Sequence, residues 1–214
     1  MHSKIIEAHK KKLKLSNRQK EILIGKLLGD GHLETKDCGR TYRLKIEHSL
    51  KQKEYVDWLY REFKVWVLTP PQVRRRFVVW RTLAGEYDKY WFNTLSSGSF
   101  RFYAHQFYKE RKKIVPRFIK KLLTPLALAV WFMDDGSIKS KAHQTVFLNT
   151  HGFDAKSIKL LQDALLEKFG IKTTKRKEKC GWQIYLLSET INRFAVIIKS
   201  HILASMRYKI PKNW

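Results

Sequence analysis

Two apolar stretches of this chain end in the same way. "LIGKLLGDG" (Leu23–Gly31) and "LAVWFMDDG" (Leu128–Gly136) both run into an aspartate followed by glycine. One Asp-Gly pair is an ordinary helix stop. Two pairs that carry their surroundings with them restrict the fold far more. Asp30 and Asp135 stand 105 positions apart. His48 and His151, each closing a strand-like run before a helix, are 103 apart, and Lys113 in "KKIVP" and Lys209 in "YKIP" are 96 apart. Three landmarks in one order, at nearly one offset, predict a duplicated unit of domain size rather than a solenoid repeat.

Each half predicts the same series of elements. Ser16, with Gln19 three residues on, makes a capping box. A helix bearing Ile22, Leu23, Leu27 and Leu28 follows. "HLETK" and "RTYRLKIEHS" read as strands hinged at "DCG". "KQKEYVDWLYREF" sets Tyr55, Val56, Leu59 and Phe63 on one helical face. "QVRRRFVVWRTL" and "YDKYWFNTLS" read as a second hairpin, and "FRFYAHQFYKE" as a helix. In the second half Thr124-Pro125 supplies an N-cap and a first-turn proline. "SIKSK" and "QTVFLNT" are strands. Asp154 caps a helix that Gly170 ends. "KTTKRK" and "WQIYLLS" form a hairpin around "EKCG", and "ETINRFAVIIKSHI" closes the unit. The expected class is α+β: two pseudo-symmetric α-β-β-α-β-β-α units with antiparallel sheets, over residues 16–120 and 121–214. A basic arm, residues 1–15, precedes them and is read as solvated.

Composition decides what such a duplicated fold would meet. Of 214 residues, 44 are Lys or Arg and 19 are Asp or Glu, a formal net charge of +25. That excess folds against its own repulsion unless a polyanion shares it, and nucleic acid is the first candidate. A hydrophobic content of 43% is enough for a core, which excludes a disordered basic tail. No run of about 18 apolar residues is available to span a bilayer, and the first residues carry no long apolar segment of a secretory signal. The expected setting is intracellular and reducing, with Cys38 and Cys180 as free thiols. No Cys-x-x-Cys pair suggests structural zinc. A membrane-surface role is disfavoured, because the charge lies on strands and no long basic amphipathic helix dominates.

Duplicated units tend to pack about a pseudo-twofold axis. If the two Asp-terminated helices lie side by side there, with Gly25, Gly29, Ala127 and Ala129 allowing close approach, Asp30 and Asp135 meet at one end. Two carboxylates beside two negative helix ends call for a cation. A hard divalent ion with oxygen ligands suits them. Beside phosphate such an ion activates water and stabilises the leaving oxygen. His48 and His151 would position or deprotonate water, and Lys113 and Lys209 would neutralise the phosphate. The strands supply a reading surface. Thr41, Arg43 and Lys45 alternate with apolar residues, and Arg74, Arg76, Lys139, Gln144, Lys175, Lys177, Gln183 and Tyr185 extend the candidate DNA-binding set. A two-stranded ribbon fits the DNA major groove.

These residues resemble the LAGLIDADG homing endonucleases in their single-chain, two-motif form. "FYKERKKIVP", "WFMDDGS" and "MRYKIP" resemble the branch found in rRNA and organellar introns, and the likeness covers nearly the whole chain beyond the basic arm. The resemblance implies two antiparallel sheets forming a DNA-binding saddle with the motif helices at its centre. It implies a monomer that makes a double-strand break in a long duplex DNA target. The acid before the final glycine is the family's metal ligand, which carries over to Asp30 and Asp135. Gly29 and Asp134 complete the candidate metal set, with Asp134 read as a surface or supporting group at the helix end. The implied cofactor is Mg²⁺, with Mn²⁺ as a substitute and Ca²⁺ binding without supporting cleavage. The second helix departs from the family pattern in carrying Val130 and Trp131 where glycine and leucine are usual. The same fold and charge would also serve a group I intron RNA maturase, with intron RNA as partner, or a non-cleaving DNA-binding protein. The implied location is an organelle, chloroplast or mitochondrion, or else a bacterial or archaeal cytoplasm.

Overall fold

The opening capping box is formed. Ser16 Oγ accepts from the Gln19 N–H at 3.1 Å, and the Ser16 N–H donates to Gln19 Oε1 at 3.0 Å. A computed structural model of the chain describes residues 4–80, 83–140, 143–211 and 214, without the side chains of residues 76–80, 83–86, 139–140 and 143–144. Its elements run α1 (Lys4–Lys12), α2 (Asn17–Leu28), β1 (His32–Glu34), β2 (Arg43–Ser49), α3 (Lys53–Phe63), β3 (Gln72–Trp80), β4 (Leu83–Asn93), α4 (Arg101–Phe107), β5 (Tyr108–Lys109), β6 (Lys112–Lys113), α5 (Ile119–Leu122), α6 (Pro125–Asp135), β7 (Gly136–Ser140), β8 (His143–Thr150), α7 (Ala155–Phe169), β9 (Thr173–Glu178), β10 (Gly181–Leu186) and α8 (Ser188–Lys199).

The chain divides into two compact units. One joins Met1–Gln19 to Gly31–Phe102, the other Lys20–Asp30 to Tyr103–Trp214. Most of the first motif helix, α2, therefore belongs with the second unit. Each unit holds a four-stranded sheet, ordered β1-β2-β4-β3 in the first and β7-β8-β10-β9 in the second, and every pairing is antiparallel. The repeated topology, α+β with two antiparallel sheets, is the one the sequence predicts.

Within the first unit β2 alternates strictly: Leu44, Ile46 and His48 are buried while Arg43, Lys45 and Glu47 stay half-exposed. The buried face carries α3 through Tyr55, Val56, Leu59 and Phe63. In the second unit Thr124 caps α6 as expected, its hydroxyl accepting from the Ala127 N–H, and Pro125 occupies the first turn. Asp154 caps α7, and Gly170 ends it in the left-handed region at φ 63°. Helix α6 is buried continuously from Leu126 to Asp134. Phe132 meets Phe194 of α8 edge-on at 5.3 Å, and Phe194 meets Trp214 at 5.7 Å.

Two expectations change. The basic arm contains a helix, α1, supported by the Lys10–Glu7 pair one turn apart. The helix itself buries no residue, but the arm is not free in solvent: His9 Nε2 lies 2.9 Å from the Val65 carbonyl oxygen, and Leu15 is buried. The "FRFYAHQFYKE" helix stops at Phe107. The chain there turns back through Glu110 and Arg111, both at positive φ (49° and 65°), and the β5–β6 hairpin closes on an Ile114 N–H to Phe107 carbonyl bond of 2.8 Å. Cys38 and Cys180 are free and exposed.

Candidate active site

The close approach of the two motif helices rests on glycine in one and larger side chains in the other. A Cβ on Gly25 would stand 2.5 Å from the Ala127 carbonyl oxygen and 2.6 Å from the Val130 Cβ. A Cβ on Gly29 would stand 2.5 Å from the Asp134 carboxylate. At the 105-residue offset Val130 and Asp134 are the counterparts of Gly25 and Gly29. The seam is therefore asymmetric, and Val130, which departs from the usual motif glycine, fills the space that Gly25 leaves.

Three acids and three lysines gather where these helices end. Asp30 follows α2, and Asp134 and Asp135 close α6. Asp30 and Asp134 present carboxylate oxygens within 4.8 Å of each other. Lys26 Nζ lies 2.8 Å from both oxygens of Asp134, with both side chains fully buried. The backbone N–H of Asp30 donates to Asp134 Oδ2 at 2.9 Å. Of the two expectations for Asp134, surface group or supporting group, its burial and its bonds fit the second. Its oxygens are engaged by Lys26 and by the Asp30 backbone.

The two lysines paired by the repeat occupy matching places. Lys113, at the end of the β5–β6 hairpin, donates to the Gly29 carbonyl at 2.5 Å. Lys209 donates to the Asp134 carbonyl at 2.6 Å. Each bonds the peptide oxygen of the residue just before a motif acid. The Gly29 carbonyl, included in the candidate metal set, already accepts a hydrogen bond from Lys113. Electrostatics single out Asp135. Burial, then the like charges of Asp30 and Asp134, push its pKa up to about 8 against the pull of Lys113 and Lys209. Burial likewise lowers Lys113 to about 8, and it lowers Lys209. A buried carboxyl crowded by two others is a place where a cation is favoured over a proton. The carboxylate oxygens of the three acids are donors that fit a hard divalent ion.

The paired histidines do not occupy matching places. Leu33 pairs with Leu44 in the first sheet, as Ile138 pairs with Val146 in the second. That register equates His48 with Thr150, and Glu47 with Asn149. His48 is buried in its own unit, its Nδ1 lying 3.1 Å from Gln52 Oε1 and its ring edge-on to Tyr55 at 5.1 Å. His151 lies past the end of β8 on an exposed turn. The residue that sequence reading passed over is Asn149. Its Nδ2 donates to the Asp135 carbonyl at 3.0 Å and its Oδ1 accepts from Gln183 Nε2 at 2.8 Å, and Tyr185 in turn donates to Gln183 Oε1 at 3.0 Å. A chain of polar bonds so links Asp135 to two of the candidate DNA-binding residues. In "LNTH" the matching residue type, His151, stands two positions beyond Asn149, the register counterpart of Glu47.

The sheet faces divide the remaining DNA-binding candidates. In the first sheet the register places Arg43 and Lys45 on one face with Asn93, Trp91, Gln72 and Arg74. The Arg74 guanidinium stacks on Trp91, 4.4 Å from its ring centre. Thr41 is tied down instead, its hydroxyl and N–H both donating to Asp37, whose pKa they hold at about 2. In the second sheet Gln183 pairs with Arg176, and Tyr185 with Thr174. Lys175 and Lys177 pair with Ile184 and Trp182 and so lie on the opposite face, their ammonium groups 5.0 and 6.0 Å from the Trp182 ring. Arg176 and Thr174, not Lys175 and Lys177, share the Gln183 face. One residue's shift changes the face because strand side chains alternate. The side chains of Arg76, Lys139 and Gln144 lie outside the described residues.

Comparison with known proteins places the chain in a family. The sequence model of the LAGLIDADG DNA endonuclease family matches residues 20–194, and the chain belongs to that family. DNA endonuclease I-ChuI of Chlamydomonas applanata is 30% identical over 92% of this chain and 96% of its own. Cytochrome b mRNA maturase bI2 of Saccharomyces cerevisiae is 29% identical over 88% of this chain and 46% of its own. Among solved structures, the homing endonuclease I-WcaI bound to its DNA recognition sequence superposes with a TM-score of 0.90 at 27% identity, covering 97% of this chain and 92% of that one.

Proposed function

We propose that this protein is a site-specific homing endonuclease that makes a double-strand break in duplex DNA by metal-assisted phosphodiester hydrolysis. The observation that carries the reading is the cluster at the helix ends, where Asp135 is pushed to a pKa of about 8 by burial and two neighbouring acids. A divalent cation, Mg²⁺ first and Mn²⁺ as substitute, would be held by the Asp30 and Asp135 carboxylates. When bound it would supply an activated water and charge stabilisation at the leaving oxygen. Lys113 and Lys209 hold the peptide groups before the two acids and add positive charge beside a phosphate. Asn149 fixes the Asp135 peptide and couples it to Gln183 and Tyr185. The polar sheet faces with Arg43, Lys45, Arg74 and Arg176 would track the DNA, and the net charge of +25 supports a polyanionic partner.

We read residues 16–120 and 121–214 as the two copies of the functional unit, with residues 1–15 as an accessory basic arm. The protein would act as a monomer, inside a cell or organelle whose genome carries the intron. No helix among the described residues is long and apolar enough to cross a membrane. The test is selection from a plasmid library of intron-insertion sites. Linear product from one site with Mg²⁺ or Mn²⁺, and bound but intact DNA with Ca²⁺, is the expected result. The likeness to a maturase favours a second reading, assistance of group I intron folding. Intron RNA that outcompetes every DNA site, with no cutting, would make that reading the primary one.

A further inference from the structure

The seam between the motif helices holds a buried ion pair that the reaction above does not use. Lys26 and Asp134 are fully buried at 2.8 Å, and the Asp134 carboxylate also accepts the backbone N–H of Asp30 at 2.9 Å. The bond has no mirror image. The counterpart of Asp134 in α2 is Gly29, which has no side chain to return it. The reason lies in where the helices stop. Helix α6 runs through Asp135, so the N–H of Asp135 continues the helical ladder, whereas α2 ends at Leu28 and leaves the N–H of Asp30 beyond it. The carbonyl of the same Gly29–Asp30 peptide accepts a hydrogen bond from Lys113. This peptide is therefore clamped at both of its polar groups, directly before a candidate metal-holding carboxylate.

We propose that Asp134, held in place by Lys26, is a positioning residue for Asp30, and that the two strand cuts depend on it unequally. The proposal rests on the endonuclease reading for its strand asymmetry, but not for its geometry. A buried ion pair is a weak source of stability, because desolvation offsets its attraction. An acceptor fixed under the backbone of a reacting carboxylate gives the pair a use, since a displacement of about 1 Å at such a group can cost on the order of 100-fold in rate.

The experiment compares two double variants, Lys26→Met with Asp134→Asn and Lys26→Met with Asp134→Ala. Both remove the two charges together, so neither strands a buried ion. Asparagine keeps an acceptor for the Asp30 N–H, and alanine does not. Amide exchange at Asp30, Mn²⁺ titration and strand-resolved cleavage of a supercoiled plasmid are read in parallel. The alanine pair should exchange the Asp30 amide about tenfold faster or more and bind Mn²⁺ more weakly. It should also accumulate nicked circles, one cut slowing about tenfold more than the other. The asparagine pair should keep Asp30 exchange and the ratio of the two cutting rates near the parent's. Loss of the two charges shifts Mn²⁺ affinity and overall rate in both variants alike, so the asparagine pair is the reference for the alanine pair. Equal Asp30 exchange in the two variants, or equal slowing of both cuts, would overturn the proposal. If the alanine pair does not fold, Lys26→Met with Asp134→Leu, closer in size to asparagine, replaces it. A parent protein that binds Mn²⁺ yet cuts no DNA would sink the endonuclease reading alone, because exchange and Mn²⁺ binding still decide the role of Asp134.

Discussion

Asp135 is the residue whose surroundings demand most of it. Its carboxyl is held at about 8 by burial and by Asp30 and Asp134, against an ordinary value of 3.8. Between those values the folded chain keeps a proton that the unfolded chain has released. Metal-free stability should therefore fall as pH rises from about 4 to about 8. Lys113 acts in the opposite sense at higher pH. Its folded pKa of about 8 lies below its ordinary 10.5, so the unfolded chain holds the extra proton in that window and stability rises with pH there. Thermal melts at pH 5 and pH 8 check the first effect. Asp135→Asn should remove most of the decline, and Mn²⁺ should reverse it in the parent protein. A decline left unchanged by the substitution would place its source elsewhere.

The motif helices and the β5–β6 hairpin are the elements that set the site. Gly25→Ala would place a methyl group 2.5 Å from the Ala127 carbonyl and 2.6 Å from Val130. A seam this tight should lose about 1–3 kcal/mol, read as a lower unfolding midpoint. The hairpin predicts the reverse. Glu110 and Arg111 sit at φ 49° and 65°, which side-chain-bearing residues adopt at a cost, and Asn-Gly adopts readily. Glu110→Asn with Arg111→Gly should raise stability by about 1 kcal/mol in a denaturant titration. Caps and periodicity made most elements legible in advance: Ser16, Thr124, Asp154 and Gly170 all act where the sequence places them. The hairpin was not legible, because its turn lacks Gly and Asn and the aromatic spacing before it continues a helical pattern. Asn149 was hidden for a different reason. Identity of residue type pointed to His151, while sheet register, which only pairing reveals, equates His48 with Thr150. The same alternation put Arg176, not Lys175, on the face of Gln183.

At the scale of the molecule, charge and repetition make one account. The duplicated topology supplies an acid, a lysine-bound peptide and a polar sheet face in each copy, and the excess of 44 basic over 19 acidic residues supplies attraction for phosphate. If the two faces neutralise about six phosphates, affinity for the target should fall about 10³-fold between 50 and 200 mM salt. Fluorescence anisotropy in Ca²⁺ measures this directly, and a flat salt response would contradict a backbone-tracking role for the sheets. The central claim is that Asp30 and Asp135 together hold the cation that drives strand scission. The most direct measurement is the rate of plasmid linearisation in Mg²⁺ by the parent protein, Asp30→Asn and Asp135→Asn, with DNA affinity measured beside it in Ca²⁺. The account predicts that either substitution lowers linearisation by about 10³-fold or more while affinity stays within about threefold. Linearisation at the parent rate by either variant would contradict it.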